Sequence, residues 1–210
     1  MMLNDREKDL LTTLTTRVRL LTTEQVARLW QFEGAAARPK IRRRLHSLCA
    51  ARLLEERPIL AEPSLPLQAP IVVWKSGDPS PDFHAVAWRL QRRWTESASE
   101  TIVYLATDFA ADTFGGVAAR LPTIGQETHD LHVSEVYLLM RRHRPALAAF
   151  WLGEEIVRPS RVHEKLPDAV IVDPSGIPIR IIEFGGRYDH QRVADFHQDC
   201  QARGLPYELW

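Results

Sequence analysis

The segment LPDAVIVDPSGIPIRIIEFGG, residues 166–186, sets Asp168 after a proline at the head of one apolar run and Glu183 at the end of the next. Two carboxylates on such a hairpin offer the hard oxygen ligands that suit Mg2+, and the ion lowers the pKa of bound water and stabilises charge on phosphoryl oxygens. That is chemistry for cutting DNA. A second cluster, RPKIRRRLHS, contains Lys40, Arg42, Arg43, Arg44, His46 and Ser47, residue types that meet phosphates and base edges. Other groups have simpler explanations. His129 and His132 lie three apart with no evident third metal ligand, and read as capping or surface histidines. His163-Glu164-Lys165 could approach DNA or be a polar strand entrance, and Asp189, His190 and His197 fit a helix surface. No serine-histidine-acid triad, phosphate-cradling glycine loop or nucleotide fingerprint is present.

The carboxylates need a hairpin to carry them. Asp173-Pro174-Ser175-Gly176 predicts the turn between DAVIVD and IPIRIIEF, whose apolar runs are too continuous for a fully exposed sheet. Ahead of it, LHVSEVYLLMRRH predicts a helix, with Val133, Val136, Tyr137 and Met140 on one side, and ALAAFWLGEE a strand. Behind it, DHQRVADFHQDCQARG predicts a helix leaving at Gly204, and PYELW a last strand. Trp151 and Trp210 read as packing residues.

This order of helix, three strands, helix and strand, with Pro167-Asp168 on one strand and Glu183 on the next, resembles the PD-(D/E)XK nuclease superfamily over the last 80 or so residues. The resemblance implies that a helix-borne glutamate and the two strand carboxylates hold Mg2+, which maps onto Glu135, Asp168 and Glu183. It also implies a water-positioning lysine two residues after the second carboxylate. Gly185 stands there, so Lys165 or Arg187 would have to substitute in an active enzyme.

The basic cluster needs a helix. Residues 5–14 predict a first helix with Leu10, Leu11 and Leu14 as its stripe, and Thr22 with Gln25 predicts a capping box opening a short second one. The next begins near Pro39 and gathers Ile41, Leu45, Leu48 and Cys49 on one side. Lys40, Arg43, His46, Ser47 and Ala50 fall on the other, flanked by Arg42 and Arg44. LLEERPIL and APIVVWK then predict two strands around a proline-rich loop. Three helices and a hairpin describe a winged helix-turn-helix, whose third helix reads DNA; the bland alternative is a helical interaction module with a solvated basic face.

Between these parts, Phe83, Ala87, Leu90 and Trp94 predict a linker helix whose Arg89, Arg92 and Arg93 could reach phosphate or, more simply, solvate an exposed face; TIVYLA predicts a strand and TDFAADTFGG a short helix ended by Gly115 or Gly116. The expected fold is α+β: a winged helix-turn-helix over 1–78, a connector over 79–126, and an α-β-β-β-α-β restriction-endonuclease-like domain over 127–210.

The composition suits it. The chain has 210 residues, 45% of them hydrophobic and 26% charged, enough for one large domain or two small ones. Residues 1–57 carry 12 Lys+Arg against 7 Asp+Glu, a net of +5, and the remainder 15 against 20, a net of −5; nucleic-acid affinity is expected in the basic front. No apolar run approaches the roughly 20 residues of a membrane span, and the acidic start MMLNDREKDLL is unlike a secretion signal. A cytoplasmic location without membrane contact is expected. Cys49 and Cys200 indicate neither a zinc cluster nor a disulfide framework.

TTEQVARLWQF with RRRLHSLCAARLLEE at the front, and LHVSEVYLLM with LPDAVIVD and IIEFGG at the rear, are similar to the replication-relaxation family of plasmids and other mobile elements. That resemblance implies double-stranded DNA as partner, a role in replication, relaxation or mobilisation, and a homodimer or a replication or mobilisation protein as further partner. It also implies a nuclease-like domain with incomplete catalytic residues and no required cofactor. The rivals are a Mg2+-dependent endonuclease with Asp168, Glu183 and Lys165 at its centre, and a dimeric transcriptional repressor.

Overall fold

The computed structural model describes residues 2–32, 34, 37–121, 125–161 and 165–210. In chain order the front comprises α1 (Asp5–Thr16), β1 (Leu21–Thr22), α2 (Thr23–Leu29), α3 (Arg38–Ala50), β2 (Leu54–Ala61), β3 (Val72–Trp74), α4 (Phe83–Arg92), β4 (Ser99–Ala106) and α5 (Asp108–Phe114). The rear comprises α6 (Glu127–His143), α7 (Pro145–Ala148), β5 (Trp151–Gly153), α8 (Glu154–Val157), β6 (Ala169–Val172), β7 (Pro178–Glu183), α9 (His190–Ala202) and β8 (Tyr207–Leu209). The class is α+β. Two compact units emerge, each built from two stretches of chain: Met1–Pro63 with Ala98–Leu138, and Ser64–Ser97 with Leu139–Trp210. The expectation was three consecutive segments bounded at 78 and 126.

The N-terminal unit holds a three-stranded antiparallel sheet in the order β1-β4-β2. Side chains close its helix starts. The Asn4 side chain accepts from the Glu7 N–H and Glu7 answers to the Asn4 N–H, and Thr22 and Gln25 make the same reciprocal pair, as the sequence predicts. Leu20, Ile59, Ala61, Val103, Leu105 and Leu131 form the core against the sheet. The strand partner differs from expectation. β2 pairs along its length with β4, from Leu54 opposite Ala106 to Ala61 opposite Ser99, whereas the APIVVWK segment supplies β3, which pairs with β8 in the other unit. Residues 62–98 are thus inserted between two paired strands. α5 ends at Gly115, and at Gly116 (φ +93°) an added Cβ would lie 2.2 Å from the Thr15 carbonyl oxygen, so only glycine fits this close approach.

The C-terminal unit holds a five-stranded sheet in the order β3-β8-β7-β6-β5, antiparallel except for β7 and β8. The Asp173 turn forms as predicted: Asp173 Oδ1 accepts from the Ser175 and Ile177 N–H groups and the Ser175 hydroxyl, which holds its carboxyl below the usual range. All four residues of β6 are buried, as is the second half of β7. The expected ALAAFWLGEE strand is shorter, because Pro145 opens a one-turn helix at PALA and only Trp151–Gly153 pair with β6. Nor is α4 a linker. Its Val86, Ala87 and Leu90 enter one core with Tyr188, Val193, Phe196, Cys200, Tyr207 and Leu209. Trp151 and Trp210 are buried packing residues as expected. Among the described residues no helix is long and apolar enough to cross a membrane.

Candidate functional site

The two clusters singled out in the sequence have opposite physical states. On α3, Ile41, Leu45 and Leu48 are buried while Lys40, Arg42 and Arg43 stand in solvent. Among the described residues those three cations have no carboxylate partner. The other proposed contact residues are engaged. The half-exposed Arg44 pairs with Glu7, which is 1% exposed. His46 Nε2 is 3.2 Å from Glu56 Oε2, a carboxylate oxygen that also accepts from the Tyr104 hydroxyl at 2.8 Å. The Ser47 hydroxyl donates to the Arg43 carbonyl at 2.9 Å. Burial, then Glu56 and Glu55, push the Cys49 thiol up to about 11 and keep it protonated.

The hairpin brings Asp168 and Glu183 together, since Ala169 pairs with Ile182 and the carboxylates follow one step outward. Both are buried and both are supplied with donors. Asp168 Oδ2 accepts from the Phe184 N–H at 2.6 Å, Glu183 Oε1 from the Tyr188 hydroxyl at 2.5 Å, and Glu183 Oε2 from the Asp168 N–H at 3.4 Å. Burial, reinforced by the Glu183 and Asp168 charges, drives the Tyr188 phenol far above its ordinary range and keeps it a donor. The pattern of the sequence did not point to Tyr188.

The third proposed metal ligand has partners of its own. Glu135 belongs to the N-terminal unit, where its oxygens accept from both terminal nitrogens of Arg28, at 2.7 and 2.5 Å, and from Gln25 Nε2 at 2.8 Å. Among the described residues no group of three or more His, Cys, Asp or Glu is placed to hold a metal ion. Mg2+ takes one or two carboxylates and completes its octahedron with water, and here it would compete with the Phe184 N–H and the Tyr188 hydroxyl for the carboxylate oxygens.

Lys165 forms no ion pair with either carboxylate. Its ammonium lies over two rings, 5.1 Å from the centroid of Phe196 and 6.0 Å from that of Tyr188. Arg187 packs its guanidinium 5.0 Å from the Trp94 centroid. Gly185 has a steric reason to be glycine: an added Cβ would lie 2.9 Å from both Leu90 methyls and 3.1 Å from a Leu209 methyl. A lysine stem there would enter the core.

His132 is fully buried, with Nδ1 2.6 Å from the Thr128 carbonyl oxygen, and is not a surface residue. His197 is likewise buried rather than surface-facing. Ser80 Oγ lies 3.1 Å from its Nε2 and the Tyr207 hydroxyl 3.1 Å from its Nδ1. The imidazole thus bridges a serine ahead of α4 and a tyrosine on β8. Asp189 caps α9 through the Arg192 N–H, and His190 stacks on His84 with centroids 4.3 Å apart. His163 and Glu164 lie outside the described residues. The sequence reading also missed Glu208, which is 0% exposed on β8 and takes a bidentate Arg144 and one nitrogen of Arg180. A glutamate in the apolar run PYELW was its only signal.

No protein-family model matches the chain, and neither does any curated protein or solved structure.

Proposed function

We propose that the chain is a DNA-binding protein that meets duplex DNA through α3. The exposed row Lys40, Arg42 and Arg43 carries this reading: cations on one helix with no carboxylate partner among the described residues, backed by an apolar face, can exchange counterions for phosphates. The element order helix, strand, helix, helix, strand, strand, with an antiparallel sheet, supports a winged helix-turn-helix in which β2 and β4 form the wing. That wing is acidic, with Glu55, Glu56 and Glu100, and its single arginine, Arg57, pairs with Glu55 at 2.8 Å. Contact therefore rests on the helix.

In the same reading the C-terminal unit is a PD-(D/E)XK-like scaffold whose carboxylates brace the hairpin rather than hold metal. The engagement of Asp168 and Glu183 with the hairpin's own donors supports this. A protein of that composition suits plasmid or mobile-element replication, relaxation or its regulation, as the resemblance to the replication-relaxation family implies. The experiment is a gel shift on duplex DNA over a salt series. Substituting Lys40, Arg42 and Arg43 by alanine should weaken binding and lower the slope of log affinity against log salt by up to about 3, near 0.9 for each lost phosphate contact. Unchanged affinity and slope would refute the assignment. Mg2+-dependent cleavage abolished by both Asp168→Ala and Glu183→Ala would restore the endonuclease alternative.

A further inference from the structure

We infer that the C-terminal unit carries a second nucleic-acid surface, the outer face of α4, that takes the unpaired bases of single-stranded DNA. The choice of DNA rests on the function proposed above; the surface itself does not involve α3. With Val86, Ala87 and Leu90 committed to the core, the helical period turns Ala85, Trp88, Arg89 and Arg92 outward. Trp88 is 58% exposed, and the Arg92 guanidinium sits 4.4 Å from its ring centroid, steadying the indole from one side. Arg89 reaches only the Ile71 carbonyl, at 3.3 Å, and among the described residues neither arginine has a carboxylate partner. No Asp or Glu occurs within α4, and Asp82 at its head is occupied in capping through the Ala85 N–H.

The motif repeats at the end of the helix. The Trp94 indole is anchored by its N–H to the Gly186 carbonyl at 3.1 Å, and the exposed Arg187 lies over its ring. The exposed Trp88 ring beside Arg89 and Arg92 suits a strand that offers a base to stack and a phosphate to pair. A duplex offers this face phosphates and base edges but no base face for the indole to stack on, because its bases are stacked on each other. The small Ala85 beside Trp88 leaves room for a strand to approach.

The test is fluorescence anisotropy of the full chain with a labelled oligothymidylate at low salt, alongside a duplex probe. Trp88→Ala should weaken oligothymidylate binding about tenfold and leave duplex binding unchanged; Trp88→Phe should retain most of the affinity. Arg89→Ala with Arg92→Ala should weaken binding and flatten its salt dependence. Both positions are exposed, so thermal unfolding should match the parent. Oligothymidylate affinity unaltered in Trp88→Ala would overturn the proposal. So would its loss on substituting Lys40, Arg42 and Arg43 but not Trp88. A polyglutamate peptide binding as tightly, with the same dependence on Trp88, would reassign the face to an acidic protein segment. Duplex binding unaffected by the α3 substitutions would refute the α3 reading alone and leave this surface standing.

Discussion

The cations of α3 and the carboxylates of the β6–β7 hairpin are both compact clusters of one sign, yet the fold treats them differently. Lys40, Arg42 and Arg43 keep their hydration and have no carboxylate partner among the described residues, so a ligand gains their charge in exchange for water and counterions. Asp168 and Glu183 are buried, and backbone N–H groups and Tyr188 already answer them. A metal at that hairpin would first have to break hydrogen bonds that hold the strand ends together. Charge is available to a partner where the chain has not used it.

Restoring the absent lysine tests the contrast most severely. Gly185→Lys should destabilise the protein by about 3 kcal/mol or more, combining overpacking against Leu90 and Leu209 with an ammonium held at the core. It should gain no nuclease activity; thermal unfolding and a plasmid-nicking assay read the two effects. A stable, active variant would overturn the steric account. Asp168→Ala and Tyr188→Phe should each cost about 1–3 kcal/mol by stranding a buried donor or acceptor, measured by urea unfolding. Unchanged stability in both would mean that the pair is held open for something else.

Within α3 the same logic separates neighbours. Arg44→Ala should lower stability by about 1 kcal/mol, discounted because its side chain is 41% exposed, by leaving the buried Glu7 short of a partner. His197 supplies a pH test. Burial lowers its pKa, so its contribution is intact above the unfolded value of about 6.5 and drains away as pH falls towards the folded value, because only the unfolded chain then takes up the proton. The drop in melting temperature between neutral pH and pH 5 should be smaller in His197→Gln. Smallest of all, Arg42→Ala with Arg43→Ala should leave unfolding within about 0.5 kcal/mol of the parent, while duplex affinity falls.

The longer helices were legible because their causes are local, whereas the one-turn helices at Pro145–Ala148 and Glu154–Val157 were not. The Thr22–Gln25 box, Pro39 and the 41/45/48 stripe each act within a few residues, and the Asp173 turn encodes its own hydrogen bonds. Strand partnership is a different matter. LLEERPIL and APIVVWK look like hairpin arms around a proline-rich loop, yet the first finds residues 99–106 and the second residues 207–209. Nothing in a strand's own alternation names its mate. For the same reason the Asp168–Glu183 pairing was legible from one hairpin, while Tyr188, delivered by the turn after Gly186, was not. His197 was misread as surface because its bridge between Ser80 and Tyr207 spans residues far apart in sequence.

The strand that completes the front sheet arrives late. β4 lies between β1 and β2, and residues 62–98 are translated before it. On the ribosome β2 therefore waits for its partner strand until the chain has been made past Ala106. A recombination event that exchanged the front unit for another would need junctions near 63, 97 and 138 rather than one clean cut. Neither unit can be lifted out as one continuous run of chain.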